Sequence, residues 1–127
     1  MVTVAPRRSG IKGPADLAQM EIRGGRDLNK DYAAWCQAAH DINRAMALEM
    51  HAVAIRVRRK MAEGTSGIEK FTVKSQARRA VRPMLAAADR ANEAADGVLR
   101  GWRMYLHVVT EIMTARNAKA GGHRRAG

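Results

Sequence analysis

Apolar side chains recur at steps of three and four residues along two long stretches of the chain, and this spacing predicts two amphipathic helices. The first predicted helix begins after Asp27, a candidate N-cap, and ends near residue 62. Its first six apolar positions have the heptad spacing of a coiled coil, and two successive steps of four, from Ile42 to Met46 and from Met46 to Met50, then insert a stutter. They are Leu28, Tyr32, Trp35, Ala39, Ile42 and Met46, followed by Met50, Val53, Val57 and Met61.

The second stretch predicts a helix from about 83 to 117. Its seam, at steps of four and three, is Leu85, Ala88, Asn92, Ala95, Leu99, Trp102, Leu106, Val109 and Met113, and every residue except Asn92 is apolar. Pro83 disfavours helical backbone at Arg82 and suits a first helical position, so we expect a break or kink near 82. Residues 67–82 fit either a short basic helix or an irregular link. Gly97 and Gly101 lie inside the second helix, and close approach of another backbone is the usual packing reason for such glycines.

A short turn between two long helices predicts an all-α fold, an antiparallel helical hairpin. The sequence Gly-Thr-Ser-Gly at 64–67 supplies the turn, and a shorter helix at 14–23 precedes the hairpin. We interpret 1–13 as a flexible basic arm, 14–117 as a single helical domain and 118–127 as a basic, disordered tail. Because a thin hairpin buries little area per residue, we expect dimerisation into a four-helix bundle.

The composition excludes several classes of protein. The chain has 127 residues, which is enough for one domain, and aromatic residues make up only 4% of it. One cysteine excludes an internal disulfide and a multi-cysteine metal site. No apolar run is long enough to span a membrane, and the N-terminus lacks the apolar core of a secretory leader. These features predict a cytoplasmic protein.

The positive charge is concentrated where the two predicted helices meet. The chain has a formal net charge of +11, and residues 56–82 contribute nine Lys and Arg against two Glu, a local charge of +7. A hairpin brings the two sides of this segment together as one cationic tip. The candidate phosphate-binding residues are Arg56, Arg58, Arg59, Lys60, Lys70, Lys74, Arg78, Arg79 and Arg82, with Arg124 and Arg125 in the tail.

A cationic tip of this kind predicts nucleic-acid binding, with DNA favoured, through salt-sensitive phosphate contacts. No motif for base readout is present, and the aromatic residues Tyr32, Trp35, Trp102 and Tyr105 lie on the apolar seams. Two alternatives stay open. The charge fits a solvated helix end, and the wide apolar face of the second helix fits a helix–helix interaction module without nucleic-acid binding. Binding to an anionic membrane ranks last, because the tip has few large apolar anchors.

Few residues are candidates for metal binding or catalysis. His107 and Glu111 are four residues apart on one helix, a spacing that suits two metal ligands, but no second pair completes a site. His40 beside Asp41 is no stronger a candidate, and Cys36 fits a reduced, partly buried thiol. We find no catalytic constellation and no phosphate-binding glycine loop. We therefore expect no enzymatic activity, no cofactor and no bound metal.

Residues 13–32, GPADLAQMEIRGGRDLNKDY, resemble small plasmid-transfer proteins of streptomycete conjugative elements. The resemblance covers these 20 residues and carries no catalytic residue with it. It implies a helper role near mobile DNA. The chain is also similar, in its two long helices and short turn, to small secreted actinobacterial proteins with a Trp-x-Gly turn. It departs from that family because the turn at 64–67 contains no Trp.

Overall fold

The protein is an antiparallel helical hairpin preceded by a short helix, which confirms the predicted all-α fold. The computed structural model describes residues 13–65 and 67–126, apart from the side chains of residues 68, 70 and 122–126. Helix α1 spans Pro14–Gln19, and a single 3-10 turn covers Gly25–Asp27. The two long helices are α2, Leu28–Ala62, and α3, Gly67–Ala126.

Helix α1 ends earlier than its sequence suggests and packs against α2. Its first turn is closed by the Asp16 carboxylate, which accepts a hydrogen bond from the backbone N–H of Gly13 at 3.1 Å. The indole N–H of Trp35 on α2 donates to the carbonyl of Leu17 at 3.2 Å. This bond fixes α1 against the N-terminal half of α2. In the described part of the chain, α1 has no comparable contact with α3.

An ion pair anchors the segment between α1 and α2. The guanidinium of Arg23 donates to Asp31 at 2.8 Å, and the backbone N–H of Arg23 donates to the same carboxylate oxygen at 2.9 Å. Asp27 occupies the N-cap position of α2, as predicted, but its side chain makes no capping hydrogen bond. It lies 3.7 Å from Arg23 instead. The start of α2 is therefore held by Arg23.

Acidification is expected to release this anchor. The hydrogen bonds from Arg23 lower the pKa of the Asp31 carboxyl from an ordinary value of 3.8 to about 2. A carboxyl whose folded pKa is depressed adds stability that is complete above its unfolded pKa and is lost as pH falls through its folded pKa. The contribution of Asp31 should therefore persist at pH 4 and disappear near pH 2. Carbon-detected NMR titration of the Asp31 carboxyl tests this expectation, and a midpoint near 4 would contradict it.

Small side chains fill the contact between α2 and α3. Among the described residues, the fully buried positions are eight alanines, Cys36 and Val81. Ala54 on α2 and Ala95 on α3 are 1% and 0% exposed. Because alanine has no side chain beyond Cβ, two helices lined with it pack at short interaxial distance. The interior is accordingly thin, and it holds the hairpin through close helix packing.

The predicted seam of α2 is wrong in its second half. The buried positions there are Ala47 and Ala54, each one residue beyond the predicted Met46 and Val53. Met46, Val57 and Met61 are 40–43% exposed. On α3 the predicted Ala88 and Ala95 are buried, whereas Leu106 and Met113 are exposed. The larger apolar side chains of α2 thus flank the helix contact instead of filling it.

The expected break near residue 82 is also wrong. Helix α3 runs without interruption through Pro83. Proline lacks an N–H group, so the carbonyl of Arg79 loses its usual donor, but Pro83 is exposed and the helix continues through it. Helix α3 also continues past 117, where the sequence indicated a tail, to Ala126. At 1.5 Å per residue its 60 residues extend for about 90 Å.

Replacing Pro83 with alanine should stabilise the hairpin. The substitution restores the N–H donor inside α3, and the free energy of unfolding should rise by up to ~3 kcal/mol. Urea denaturation of the variant and the parent measures the difference. A matched control is Gly97→Ala, for which the same helix-propensity argument predicts a gain of about 1 kcal/mol. An unchanged or lower stability for Pro83→Ala would contradict the account of α3 as one continuous helix that lacks a hydrogen-bond donor at Pro83.

Gly97 and Gly101 do not mediate close helix packing. A Cβ atom at Gly97 would lie 3.6 Å from the guanidinium of Arg100, and one at Gly101 would lie 3.9 Å from the hydroxyl of Tyr32. Both distances are ordinary van der Waals contacts. The expected close approach of another backbone is therefore wrong.

The C-terminal part of α3 extends beyond the start of α2. Tyr105 donates a hydrogen bond to the side-chain oxygen of Asn29, which places residue 105 level with the first turn of α2. Every side chain from 110 to 120 is exposed. This stretch of α3 has no helix beside it in the hairpin.

Candidate nucleic-acid interface

The turn between α2 and α3 brings the two basic segments together. The backbone of Gly64 has a φ of +83° and that of Gly67 a φ of +67°, in the left-handed region that glycine adopts most readily. The hydroxyl of Thr65 donates to the carbonyl of Ala62 at 2.7 Å and so caps the end of α2. These residues reverse the chain within four positions. The last turns of α2 therefore lie beside the first turns of α3.

A cationic cleft lies between the two helices next to this turn. It has a volume of about 880 Å³. The residues that line it are Ile55, Arg56, Arg58, Arg59, Lys60, Ala62, Glu63, Lys74 and Arg78. The side chains of α2 and α3 thus contribute to one surface, although Arg56 and Arg78 are 22 positions apart in the sequence.

Among the described residues, six cations and a single carboxylate line this cleft. All six basic side chains are exposed, so their charges meet solvent without a desolvation cost. The one carboxylate, Glu63, lies 3.2 Å from the ammonium of Lys60 and neutralises part of its charge. The guanidinium groups of Arg58, Arg59 and Arg78 make no ion pair with any described residue. Guanidinium groups bind phosphate oxygens through paired N–H donors, so these three are the strongest candidate phosphate ligands.

The structure brings together six of the predicted site residues. Those lining the cleft are Arg56, Arg58, Arg59, Lys60, Lys74 and Arg78. Arg79 and Arg82 are exposed on α3 but do not line the cleft. Arg79 is rotated by about 100° from Arg78 around the helix, and Arg82 lies one turn further from the tip on nearly the same face. The side chains of Lys70, Arg124 and Arg125 lie outside the described part of the structure.

Sequence reasoning missed the apolar floor of the cleft. Ile55 is half-buried and lies one helical turn before Arg59, and Ala62 lies about one turn after it. Their spacing from Arg59 is the signal that places them on the same side of α2. An apolar floor supports the aliphatic stems of the arginines and directs their charged ends outward.

Three aromatic residues form a cluster at the other end of the hairpin. The ring of Tyr32 meets Trp102 edge-on at 5.7 Å and Tyr105 edge-on at 4.9 Å, and Trp102 stacks on Tyr105 at 5.4 Å. All three rings are half-buried. They stabilise the junction of α2 and α3 and lie far from the cationic cleft.

The remaining candidate residues make local contacts. Burial raises the pKa of the Cys36 thiol, which keeps it protonated at neutral pH. His107 and Glu111 form an exposed pair at 2.8 Å along α3. Within residues 13–65 and 67–126, no three His, Cys, Asp or Glu side chains come together as a metal site.

No protein-family model, curated protein or solved structure matches the chain. None of the described helices is both long and apolar enough to cross a membrane. Inferences about function therefore rest on the cleft and its charge.

Proposed function

We propose that this protein is a non-enzymatic accessory protein that binds nucleic acid, with DNA favoured, through phosphate contacts at the cationic cleft. The observation that carries the proposal is the convergence of six basic side chains from two helices around one open cleft. A cleft lined with one sign of charge attracts polyanions and raises their local concentration. The net charge of +11 extends the same attraction over longer range.

The chemistry of the cleft favours phosphate over other anions. Four of its six cations are arginines, and the planar guanidinium group matches the geometry of phosphate oxygens. The cleft is open to solvent, which suits an extended backbone better than an enclosed small molecule. Binding of this kind reads charge and shape, so we expect weak sequence preference.

The resemblance of residues 13–32 to plasmid-transfer proteins supports a more specific proposal. We infer a helper role in the transfer of plasmid or other mobile DNA. The segment itself folds as α1 and the Arg23 anchor, away from the cleft. The resemblance therefore bears on which kind of protein this is, and the segment itself would contribute little to phosphate binding.

A salt titration tests the proposed function. Fluorescence anisotropy of a labelled duplex of arbitrary sequence should show binding that falls by orders of magnitude between about 50 and 200 mM salt. A single-stranded RNA of equal length, titrated in parallel, distinguishes DNA from RNA. Negligible binding of both at the lowest salt would overturn the proposal and make the charge a solvated helix end.

A helix–helix interaction module is the second candidate function. The large apolar side chains Met46, Val57 and Met61, each 40–43% exposed, favour it. Exposed apolar surface of this kind marks an interaction site. The two functions are compatible, because the cleft and the groove beside Val57 and Met61 share only Arg56 and Lys60 among the described residues.

A further inference from the structure

An apolar stripe on α2 flanks the contact with α3 and is partly exposed. It consists of Met46, Met50, Val53 and Val57, at steps of four, three and four residues. Met46 and Val57 are 42% and 43% exposed, and Met50 and Val53 are half-buried. Since Ala47 and Ala54 face α3, a stripe placed one residue before them is rotated by about 100° from that contact.

The same side of α2 already accepts a helix further along. Trp35 precedes Met46 by eleven residues, close to three full turns, so the two side chains project in similar directions. Trp35 is covered by α1, to which it donates a hydrogen bond. Beyond it, a shallow groove of about 580 Å³ covers the C-terminal half of the stripe and extends to Met61, and its lining includes Val53, Val57 and Arg56. The side of α2 that α1 covers at one end is thus open at the other.

The charged residues beside the stripe are complementary to those of a second copy of the chain. Glu49 immediately precedes Met50, and Arg56, seven residues later, immediately precedes Val57. Both side chains are exposed, and neither has an ion-pair or hydrogen-bond partner in the part of the chain that the structure describes. In an antiparallel pair of identical helices, positions of this kind meet across the two-fold axis.

One register of an antiparallel α2 pair brings both the apolar and the charged residues of the two copies into contact. If Met50 packs against Val53 of a second copy, then Met46 packs against its Val57, and each contact occurs twice by symmetry. The same register places Glu49 of each copy beside Arg56 of the other. A parallel pairing would give Glu49 no such partner and would place two tips of charge +7 side by side.

We propose that a second copy of this chain occupies the stripe, in an antiparallel α2–α2 dimer held by Met46, Met50, Val53 and Val57 and by two Glu49–Arg56 ion pairs. In this register Ala62 of one copy lies level with Asp41 of the other. The incoming helix therefore stops short of Trp35, and α1 keeps its place. The buried alanines and the stripe together give α2 two neighbouring contact surfaces, as in a four-helix bundle.

The proposal is independent of nucleic-acid binding. Arg56 borders both the cleft and the groove. In the dimer Arg56 pairs with Glu49 of the second copy. Arg58, Arg59 and Arg78 remain available to bind phosphate in the cleft. Loss of the dimer and loss of DNA binding are therefore separable by the residue that is changed.

A charge-swap series measured by multi-angle light scattering tests the dimer. The full-length protein should have the mass of a dimer. Glu49→Arg and Arg56→Glu should each raise the dissociation constant of the dimer by roughly tenfold or more. Each substitution places two side chains of like charge together, at both symmetry-related contacts. The double variant Glu49→Arg with Arg56→Glu should restore it. A monomer or a trimer for the unchanged protein, or no restoration in the double variant, would overturn the proposal.

A second pair of variants tests the apolar stripe. Val53→Glu places two carboxylates near the two-fold axis and should give a monomer. Leu48→Glu is the matched control, because Leu48 is 73% exposed on another side of α2 and should leave the dimer intact. Circular dichroism confirms that both variants stay helical. A Val53→Glu protein that stays dimeric would overturn the assignment of the interface.

Discussion

Replacing Arg58, Arg59 and Arg78 with alanine is expected to weaken binding to duplex DNA by roughly 1,000-fold. Hydrogen bonds from charged groups contribute at least ~1.5 kcal/mol each, and each 1.4 kcal/mol changes affinity by about tenfold. The three guanidinium groups line one cleft and have no acidic partner among the described residues. Anisotropy titration at low salt, where the parent binds most tightly, measures the loss.

A second triple variant separates local contact from net charge. Arg90, Arg100 and Arg103 are exposed on α3 and lie outside the cleft. Replacing them with alanine removes the same formal charge from the chain. At 0.1 M salt the Debye length is about 10 Å and more distant exposed charges are largely screened, so at that concentration this variant should lose far less affinity. Equal losses in the two variants would show that net charge, and no particular surface, determines binding.

The substitution Ala95→Glu is expected to unfold the hairpin. Ala95 is 0% exposed in the contact between α2 and α3, and α2 presents Ala39 and other small apolar side chains there. Burying an unpaired carboxylate costs several kcal/mol. That cost is comparable with the whole stability of a small domain, about 5–15 kcal/mol. Far-UV circular dichroism at neutral pH should show loss of the helical signal and of cooperative melting.

Ala94→Glu is the matched control for this prediction. Ala94 is the neighbouring residue on α3 and is exposed. The same substitution there leaves the carboxylate in water, and glutamate is a good helix former, so stability should change by less than about 0.5 kcal/mol. Equal destabilisation by the two substitutions would contradict the placement of the alanine core.

The sequence predicted the helices well because their signal is periodic. Steps of three and four residues and the turn at 64–67 together determine a hairpin, whatever the details of packing. The position of the buried line on α2 was harder to predict. Met46 and Val53 are more hydrophobic than Ala47 and Ala54, yet two closely packed helices bury the smaller side chains. Hydropathy alone does not reveal that preference.

Pro83 shows a second limit of local rules. A proline disfavours helix at the residue before it, and the sequence around Arg82 contains nothing to counter that tendency. The helix continues because α3 packs against α2 on both sides of Pro83, through Val81 and Ala88. Tertiary contact therefore overrides the local preference.

The cationic cleft could be predicted in part. The charge excess of residues 56–82 indicated a basic tip, and six of its predicted residues line the cleft. The sequence did not show which cations share one side, since that depends on the rotation of α3 relative to α2. Arg78 faces the cleft, and Arg79, one residue later, does not. Only the continuous helix through Pro83 fixes that rotation.

The salt dependence of DNA binding by single-site variants tests the central claim most directly. For the unchanged protein, the logarithm of the binding constant should fall linearly with the logarithm of salt concentration, by about 0.9 for each phosphate contact. Arg59→Ala should lower the magnitude of that slope by about 0.9, whereas Arg90→Ala should leave it unchanged. Equal slopes for the unchanged protein and for Arg59→Ala would contradict the assignment of the cleft as the phosphate-binding site.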